Sequence, residues 1–254
     1  MAAKTVAIVM QKGGVGKSTT ALELAACLTH IGLRALLIDL DSQTNTTYCT
    51  AIEGYKHDIY ELLTESKNIT AAEALVHSQY HGDIIPGAKN MVNIESGHVS
   101  VSPLRLYSII QELKGNYDYI LIDTHPGLGA EMVLALAAAD EVLVPVVPEP
   151  FAVQGLVDLN EILQQVKEKI SPSLKTMGVL LIKYSDRLNL HKQVRGMING
   201  YVGQIGSTLF KTTIRNSTKV GEAQGNRLPL HKYAPKEGVT NDYFFLTEEF
   251  INKA

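Results

Sequence analysis

The stretch Gln11-Lys12-Gly13-Gly14-Val15-Gly16-Lys17-Ser18-Thr19 decides the fold. It lies between an apolar run, Thr5–Met10, and a helical pattern, Lys17–His30. Glycines at such a strand-to-helix turn let successive backbone N–H groups point at one anion, and the helix N-terminus adds its dipole. Lys17 is placed to reach the β- and γ-phosphates, and the Ser18 hydroxyl to ligate Mg²⁺. Lys12 to Thr19 are therefore predicted to bind the phosphates of ATP.

Short apolar runs alternate with longer helical patterns on both sides of this loop. Continuous runs of Val, Ile and Leu are typical of parallel strands that are covered on both faces. The alternation predicts an α/β fold with a doubly wound, mostly parallel sheet and helices on both faces, in one domain over residues 1–254. The predicted strands are Thr5–Met10, Ala35–Asp39, Tyr119–Asp123, Glu141–Val147 and Thr176–Lys183, and the predicted helices are Lys17–His30, Pro103–Lys114, Ala130–Ala139 and Val153–Ile170.

Other parts of the chain are less regular. Polar residues and glycines are mixed from Thr44 to Ser102, so this region is expected to decorate the sheet. Val194–Val202 has a helical pattern, and Gly206–Phe210 is a candidate late strand. The last segment, Pro235–Lys253, is predicted to be a closing helix.

Three carboxylates follow predicted strands. Asp39 and Asp41 end the second strand, and alternation along a strand puts them on one side, toward the phosphate loop. Asp123 ends the run Tyr119–Asp123, at the edge of the sheet where ligands bind in open α/β folds. Asp123 is therefore expected to hold Mg²⁺ through a water molecule.

Composition excludes several classes of protein. The two cysteines, Cys27 and Cys49, have no disulfide or metal-site spacing, and no apolar stretch is long enough for a signal peptide or a membrane span. We therefore expect a cytoplasmic protein that does not bind membranes. The net charge is −3, yet the segment from Lys183 to Lys236 has ten basic and two acidic residues and carries +8. Such asymmetry indicates a local anion-binding face.

The form of the phosphate loop resembles one known family. The general phosphate-loop pattern has its first glycine where this chain has Gln11, and a second lysine, Lys12, precedes Lys17 by five residues. This KGGVGKST form is similar to the deviant Walker A motif of the ParA/MinD superfamily of dimerising ATPases. The resemblance implies an ATP-bridged homodimer. In it, Lys12 reaches the phosphates bound to the partner subunit, and Lys17 contacts the phosphates bound to its own chain. Two cations near the triphosphate offset charge that builds up during hydrolysis.

The resemblance extends to other segments, from residue 5 to about 250. Asp39-Leu40-Asp41-Ser42-Gln43 is similar to the family's DxDPQ segment, which implies that Asp41 positions the attacking water and that Asp39 supports the magnesium shell. Pro148 and Glu149 match a segment beside the nucleotide and the dimer interface. Asn216 matches the end of a segment near adenine and is a candidate base contact. Ser42 and His125 stand where the family usually has proline, and His125 is a peculiarity without an assigned role.

Sequence features of the individual branches of the ParA/MinD superfamily distinguish the possible functions. The C-terminal stretch from Thr247 is too acidic for a MinD-like membrane anchor, and no bridging cysteines for a metal cluster follow Asp123. The partition branch implies nucleoid association through non-specific binding of double-stranded DNA, and a centromere-binding ParB-like partner. The candidate DNA contacts are Lys192, Arg195, Arg215 and Lys219.

Two alternatives to partition of a plasmid, chromosome or mobile element stay open at the level of the sequence. One is a ParA-like ATPase that positions a protein complex. The other is a MinD-like regulatory ATP switch that binds no DNA. The chain reaches its first strand almost at once, so we expect no operator-reading helix-turn-helix domain before it.

Overall fold

The computed structural model describes residues 2–66, 68–127 and 129–253. Within these ranges, eight strands form one sheet in the order β3-β4-β2-β5-β1-β6-β7-β8. All neighbouring strands run parallel except β3 and β4, which are antiparallel. The strands are β1 (Lys4–Ile8), β2 (Ala35–Asp39), β3 (Val76–Ser78), β4 (Gly82–Ile85), β5 (Tyr119–Asp123), β6 (Glu141–Val146), β7 (Lys175–Tyr184) and β8 (Leu209–Arg215).

Helices connect the strands and cover both faces of the sheet. Short 3₁₀ turns occupy Ala71–Ala74 and Lys89–Met91. The α-helices are α1 (Lys17–His30), α2 (Asn45–Cys49), α3 (Ile59–Thr64), α4 (Val92–Glu95), α5 (Arg105–Leu113), α6 (Ala130–Ala138), α7 (Ala152–Lys169), α8 (Asn189–Gln204), α9 (Thr218–Gly225), α10 (Leu230–Tyr233) and α11 (Gly238–Lys253). No helix in the described part of the chain is long and apolar enough to cross a membrane.

The apolar residues form one core on each face of the sheet. Alternate residues of one strand enter different cores, as period-two geometry requires: Leu36 and Ile38 of β2 join one, and Leu37 joins the other. The first core holds the apolar faces of α5, α6, α7 and α8, and the second holds those of α1 and α11. The predicted doubly wound α/β sheet is thus confirmed.

Most predicted elements are present to within two residues of their expected ends, but three differ by more. The predicted strand Gly206–Phe210 begins later, at Leu209, and continues to Arg215, and the helix predicted over Val194–Val202 begins earlier, at Asn189. β8 is an edge strand in which only Phe210 and Ile214 are buried. It therefore lacks the continuous apolar run by which the central strands are recognised. The closing helix also begins later than predicted, at Gly238.

The unassigned region from Thr44 to Ser102 extends one edge of the sheet. It contributes β4, which pairs in parallel with β2, and the short outer strand β3. Gly82 begins β4 with a φ of +77°, and a Cβ there would collide with the Ala35 carbonyl oxygen. The close approach of the two strands therefore requires glycine at this position. Helices α2 and α4, from the same region, lie beside the ends of β2 and β5.

Candidate nucleotide site at the carboxyl ends of the strands

The phosphate loop connects β1 directly to α1. Gly14 and Gly16 have φ values of +73° and +78°, in the left-handed region that favours glycine. A Cβ on Gly16 would also lie 3.3 Å from Cγ2 of Ile182. The Gly16 carbonyl accepts hydrogen bonds from the backbone N–H and the hydroxyl of Thr20. The loop thus ends at Gly16, the residue that precedes the first turn of α1.

Lys17 points into the molecule, whereas Lys12 does not. Lys17 is 5% exposed. Burial lowers its pKa, and the charges of Asp123 and Asp41 oppose this shift. Lys12 instead forms an ion pair with Glu149 on the loop after β6, and about half of each side chain is exposed. The two lysines therefore occupy different environments, one inside the phosphate cleft and one at the surface.

Asp39 and Asp123 are direct register partners on the neighbouring strands β2 and β5. Both are fully buried. Oδ2 of Asp39 accepts hydrogen bonds from the N–H and the hydroxyl of Thr47, at 2.8 and 2.6 Å, and Oδ1 accepts one from the N–H of Asp41. Burial raises the pKa of both carboxyl groups, and the charge of Asp39 adds to the rise at Asp123.

The donor set around Asp123 fits a magnesium ion. Oδ2 accepts a hydrogen bond from Thr46 at 2.7 Å, but the buried Oδ1 has no hydrogen-bond partner of normal geometry among the described residues. Ser18 lies beside this carboxylate, where its hydroxyl helps to lower the Asp123 pKa. Oxygen ligands of this kind, completed by water and phosphate, are what Mg²⁺ prefers. Asp39 has donors on both oxygens, so it fits a supporting position behind Asp123.

Asp41 lies just beyond the end of β2 and is 4% exposed. Its Oδ1 accepts hydrogen bonds at 2.9 Å from the N–H of Gln43 and from Nδ1 of His125. Asp41 also lines the phosphate cleft together with Lys17 and Ser18. The structure therefore brings together Lys17, Ser18, Asp39, Asp41 and Asp123, as the sequence predicts.

Two adjoining cavities continue from the phosphate loop. The first, of about 650 Å³, is lined by residues Gly14 to Thr19 except Val15, and by residues of α2 and α9. The second, of about 830 Å³, is lined by Asn216, Glu149 and the residues that follow β7. Lys183 lines both cavities, and its ammonium group donates a hydrogen bond to the Gly14 carbonyl at 3.2 Å. Asn216 lines the second cavity and not the phosphate cleft, and Pro148 is buried.

Three contributors to the site were missed from the sequence. Thr46 and Thr47 hold the two buried aspartates, and Lys183 links the two cavities through a backbone with a φ of +56°. The threonines come from the region left unassigned, so only their position soon after Asp41 hinted at a role. For Lys183, nothing in the local pattern indicated a left-handed residue at the end of a strand.

The four candidate DNA contacts differ in their surroundings. Arg215 forms a bidentate ion pair with Asp242, at 2.7 and 2.8 Å, and Lys219 pairs with Glu222 at 2.7 Å. Lys192 and Arg195 on α8 instead line an open groove beside Lys211 of β8. We call the surface formed by Lys192, Arg195 and Lys211 the basic groove. The Arg195 guanidinium lies over the Tyr184 ring, 5.3 Å from its centroid, which orients it toward this groove.

Comparison with known proteins identifies relatives along the whole chain. The AAA domain family matches residues 3–176. The chain is 34% identical over 256 residues to the sporulation initiation inhibitor protein Soj of Bacillus subtilis, with 97% of each protein covered. It is 32% identical over 248 residues to the chromosome-partitioning ATPase Soj of Thermus thermophilus, covering 98% of this chain and 95% of that protein.

A solved structure has the same fold at lower identity. The cobyrinic acid a,c-diamide synthase of Mycobacterium smegmatis, with a bound ATP analog and magnesium, superposes with a TM-score of 0.84. It is 23% identical, and the match covers 98% of this chain and 94% of that one.

Proposed function

Because the chain belongs to the AAA domain family of ParA/MinD-type P-loop ATPases, we propose that it is a partition ATPase. It hydrolyses ATP with Mg²⁺ as cofactor, forms a homodimer in the ATP state and binds double-stranded DNA without sequence preference. The cargo is a plasmid, a chromosome or a mobile element. Residues 1–254 act in this proposal as one ATPase domain.

The position of Lys12 carries the proposal. An ordinary phosphate loop needs one lysine, and the buried Lys17 supplies it. Lys12 lies outside the phosphate cleft and pairs with Glu149 at the surface, where a second copy of the chain can reach its ammonium group once this ion pair opens. Phe151, in the same loop as Glu149, is 82% exposed and is therefore accessible to a partner subunit. Lys12 would leave Glu149 for the partner's phosphates when the dimer forms.

The proposed chemistry is attack of water on the γ-phosphate. Asp41 orients the water through its carboxylate, which Gln43 and His125 hold in place. Lys17, and Lys12 from the partner, stabilise the charge that builds up on the phosphate oxygens. Ser18 and Asp123 would hold Mg²⁺, which offsets phosphate charge when it is bound.

The test compares Lys12→Ala, Asp41→Ala and Glu149→Gln proteins by size measurement and phosphate release, with ATP and Mg²⁺. We expect Asp41→Ala to accumulate as a dimer that does not hydrolyse ATP. Lys12→Ala should bind ATP yet remain monomeric, because the partner's phosphates lose a cation. Glu149→Gln, which frees Lys12, should dimerise at least as well as the unchanged protein. A Lys12→Ala protein that dimerises normally would refute the role in trans.

The basic groove supports the DNA-binding part of the proposal. Among the described residues no acidic side chain forms an ion pair with the side-chain ammonium group of Lys192 or of Lys211, so phosphate contacts there require no ion pair to break. Arg215 and Lys219 would first have to leave Asp242 and Glu222. Binding through lysine and arginine is independent of sequence and weakens steeply with salt. In the cell this affinity would hold the ATP dimer on the nucleoid, where a ParB-like partner would stimulate hydrolysis.

Charge reversal tests this groove. A Lys192→Glu, Lys211→Glu protein is compared with Lys167→Glu, Lys169→Glu, which changes the net charge equally on α7. With ATP and Mg²⁺, we expect the first variant to lose about tenfold or more in affinity for unrelated duplexes and to show a smaller salt slope, while the second changes little. Absence of ATP-dependent binding in the unchanged protein would favour a regulatory switch that does not bind DNA.

A further inference from the structure

Three side chains of metal-ligating type meet beside the phosphate cleft. Asp41 follows β2, His125 follows β5, and Glu95 ends α4. Nδ1 of His125 lies 2.9 Å from Oδ1 of Asp41 and 3.9 Å from Oε1 of Glu95. One ligand atom from each residue lies within 4.8 Å of the other two. The three come from separate segments, so the fold itself assembles this cluster.

The spacing is close to that of ligands on one ion. Ligand atoms about 2.0–2.2 Å from a tetrahedral Zn²⁺ are separated from each other by roughly 3.4 Å. The measured separations bracket this value. Side-chain rotations that move the ligand atoms by about 1 Å would therefore bring all three onto a common ion. The ion would replace the proton that Nδ1 of His125 now shares with Asp41.

Unsatisfied acceptors surround the cluster. Oε1 of Glu95 is buried and accepts no hydrogen bond from the described residues, and the same is true of Oε2 of the neighbouring Glu131. Glu131 is 1% exposed, and its carboxyl group interacts electrostatically with Glu95, His125 and Asp41. Buried acceptors of this kind are normally satisfied, and a cation bound within the cluster would satisfy them.

The outer contacts of the ligands suit a metal site. The hydroxyl of Ser42 donates to Oε2 of Glu95 at 3.2 Å, and the N–H of Gln43 donates to Asp41 at 2.9 Å. Hydrogen bonds of this sort orient ligating carboxylates. His125 is partly exposed, with 28% of its side chain accessible, so an ion has a path to the cluster.

We propose that Asp41, Glu95 and His125 form a second cation site, specific for a divalent transition-metal ion such as Zn²⁺. An imidazole with two carboxylates favours zinc-like ions, whereas the all-oxygen site at Ser18 and Asp123 favours magnesium. The proposal rests on this geometry and is independent of partition. An ion bound here takes up Asp41, so transition metals should inhibit any hydrolysis that needs this carboxylate.

The test measures metal binding directly on the full chain without nucleotide or Mg²⁺. Zn²⁺ is titrated by calorimetry, and Co²⁺ by its visible absorption. We expect one ion per chain in the unchanged protein, and at least about tenfold weaker binding in His125→Ala and in Glu95→Gln. His98→Ala, which changes an exposed histidine, serves as the matched control and should bind normally, as should Cys49→Ser and Asp123→Asn.

Two results would overturn the site. If His125→Ala and Glu95→Gln bind the ion as tightly as the unchanged protein, the cluster is not its ligand set. If Asp123→Asn alone abolishes binding, the ion lies at the magnesium position. Far-ultraviolet circular dichroism and thermal unfolding establish that each variant is folded, and because the two ligand variants alter different segments, either one that folds decides the question.

Discussion

Glu23 on α1 is an acidic side chain inside the molecule, 5% exposed. Both of its carboxyl oxygens lie within 3.2 Å of the backbone N–H of Leu230. Burial raises the Glu23 pKa from 4.5 to about 8, and the Leu230 hydrogen bond only partly opposes this. Between these two values the folded state binds more protons than the unfolded state, so the free energy of unfolding falls as the pH rises.

The pH dependence of stability should therefore change in a Glu23→Gln protein. Gln keeps an acceptor for Leu230 and cannot ionise. We expect the variant to be more stable than the unchanged protein at pH 8.5, by on the order of 3 kcal/mol, and the difference to shrink toward pH 5. Urea unfolding at both pH values measures it, with Glu168→Gln on the exposed face of α7 as control. An equal difference at the two pH values would contradict the proposed burial of charge.

At the residue scale, the sequence predicted the placement of those residues whose location in the fold follows from their position in the chain. Asp39, Asp41 and Asp123 were predictable because parallel strands end at one edge of the sheet, and Lys17 because it begins α1. Glu95 and Thr47 were not, because they reach the site from a region without strong periodicity. The contact between His125 and Asp41 joins residues 84 positions apart, so it could be identified only once the fold was known.

Among the elements, β8 shows how an exposed sheet edge is protected. Backbone N–H groups on its open side donate to side chains of α11. Glu249 accepts from Lys211 and Thr212, at 2.8 and 2.9 Å, and Asp242 accepts from Arg215 at 3.0 Å. An uncovered edge is a template for pairing with another chain, and these two acids occupy it.

Removing one of these acids should expose the edge. We expect Glu249→Ala to lower the free energy of unfolding by about 1–2 kcal/mol, because two backbone donors lose a charged acceptor, and to promote aggregation. Neighbouring Glu248→Ala removes an equal charge from an exposed position and should have little effect. Urea unfolding and light scattering on warming compare the two variants. Identical behaviour of both would show that the hydrogen bonds to β8 do not protect it.

The strength of an element's pattern decided how well it was predicted. Central strands such as β2 and β5 are buried on both faces, so their apolar runs are nearly continuous and their bounds were predicted to the residue. β8 alternates between buried and accessible residues, and β3 has only three residues. Edge strands of this kind are fixed by pairing with a neighbour, which the local sequence does not encode.

At the scale of the whole molecule, substitution of each of the two lysines in the phosphate loop should distinguish ATP binding from dimer assembly. At protein concentrations too low for dimerisation, saturating ATP and Mg²⁺ should raise the melting temperature by about 5–10 °C, because ligand binds only the folded state. Lys17→Ala should abolish this shift, since its ammonium group lies inside the cleft. Lys12→Ala should retain it.

Thermal unfolding with and without nucleotide measures these shifts, and a Lys4→Ala protein, altered far from the loop, is the control. A lost shift in Lys12→Ala would mean that Lys12 contacts the phosphates of its own chain. The ion pair with Glu149 would then have to open in the monomer.

The covering of β8 by α11 also has a consequence for synthesis of the protein. β8 ends at Arg215, and the acids that cap it are Asp242 and Glu249, so the ribosome completes the strand well before its cover. During translation, this edge is the last part of the sheet to be shielded. Nascent chains that are synthesised on the same messenger RNA are therefore most able to associate with one another at this edge. Because α11 is translated after β8, the folding of α11 ends the period in which the edge of β8 is open to such association.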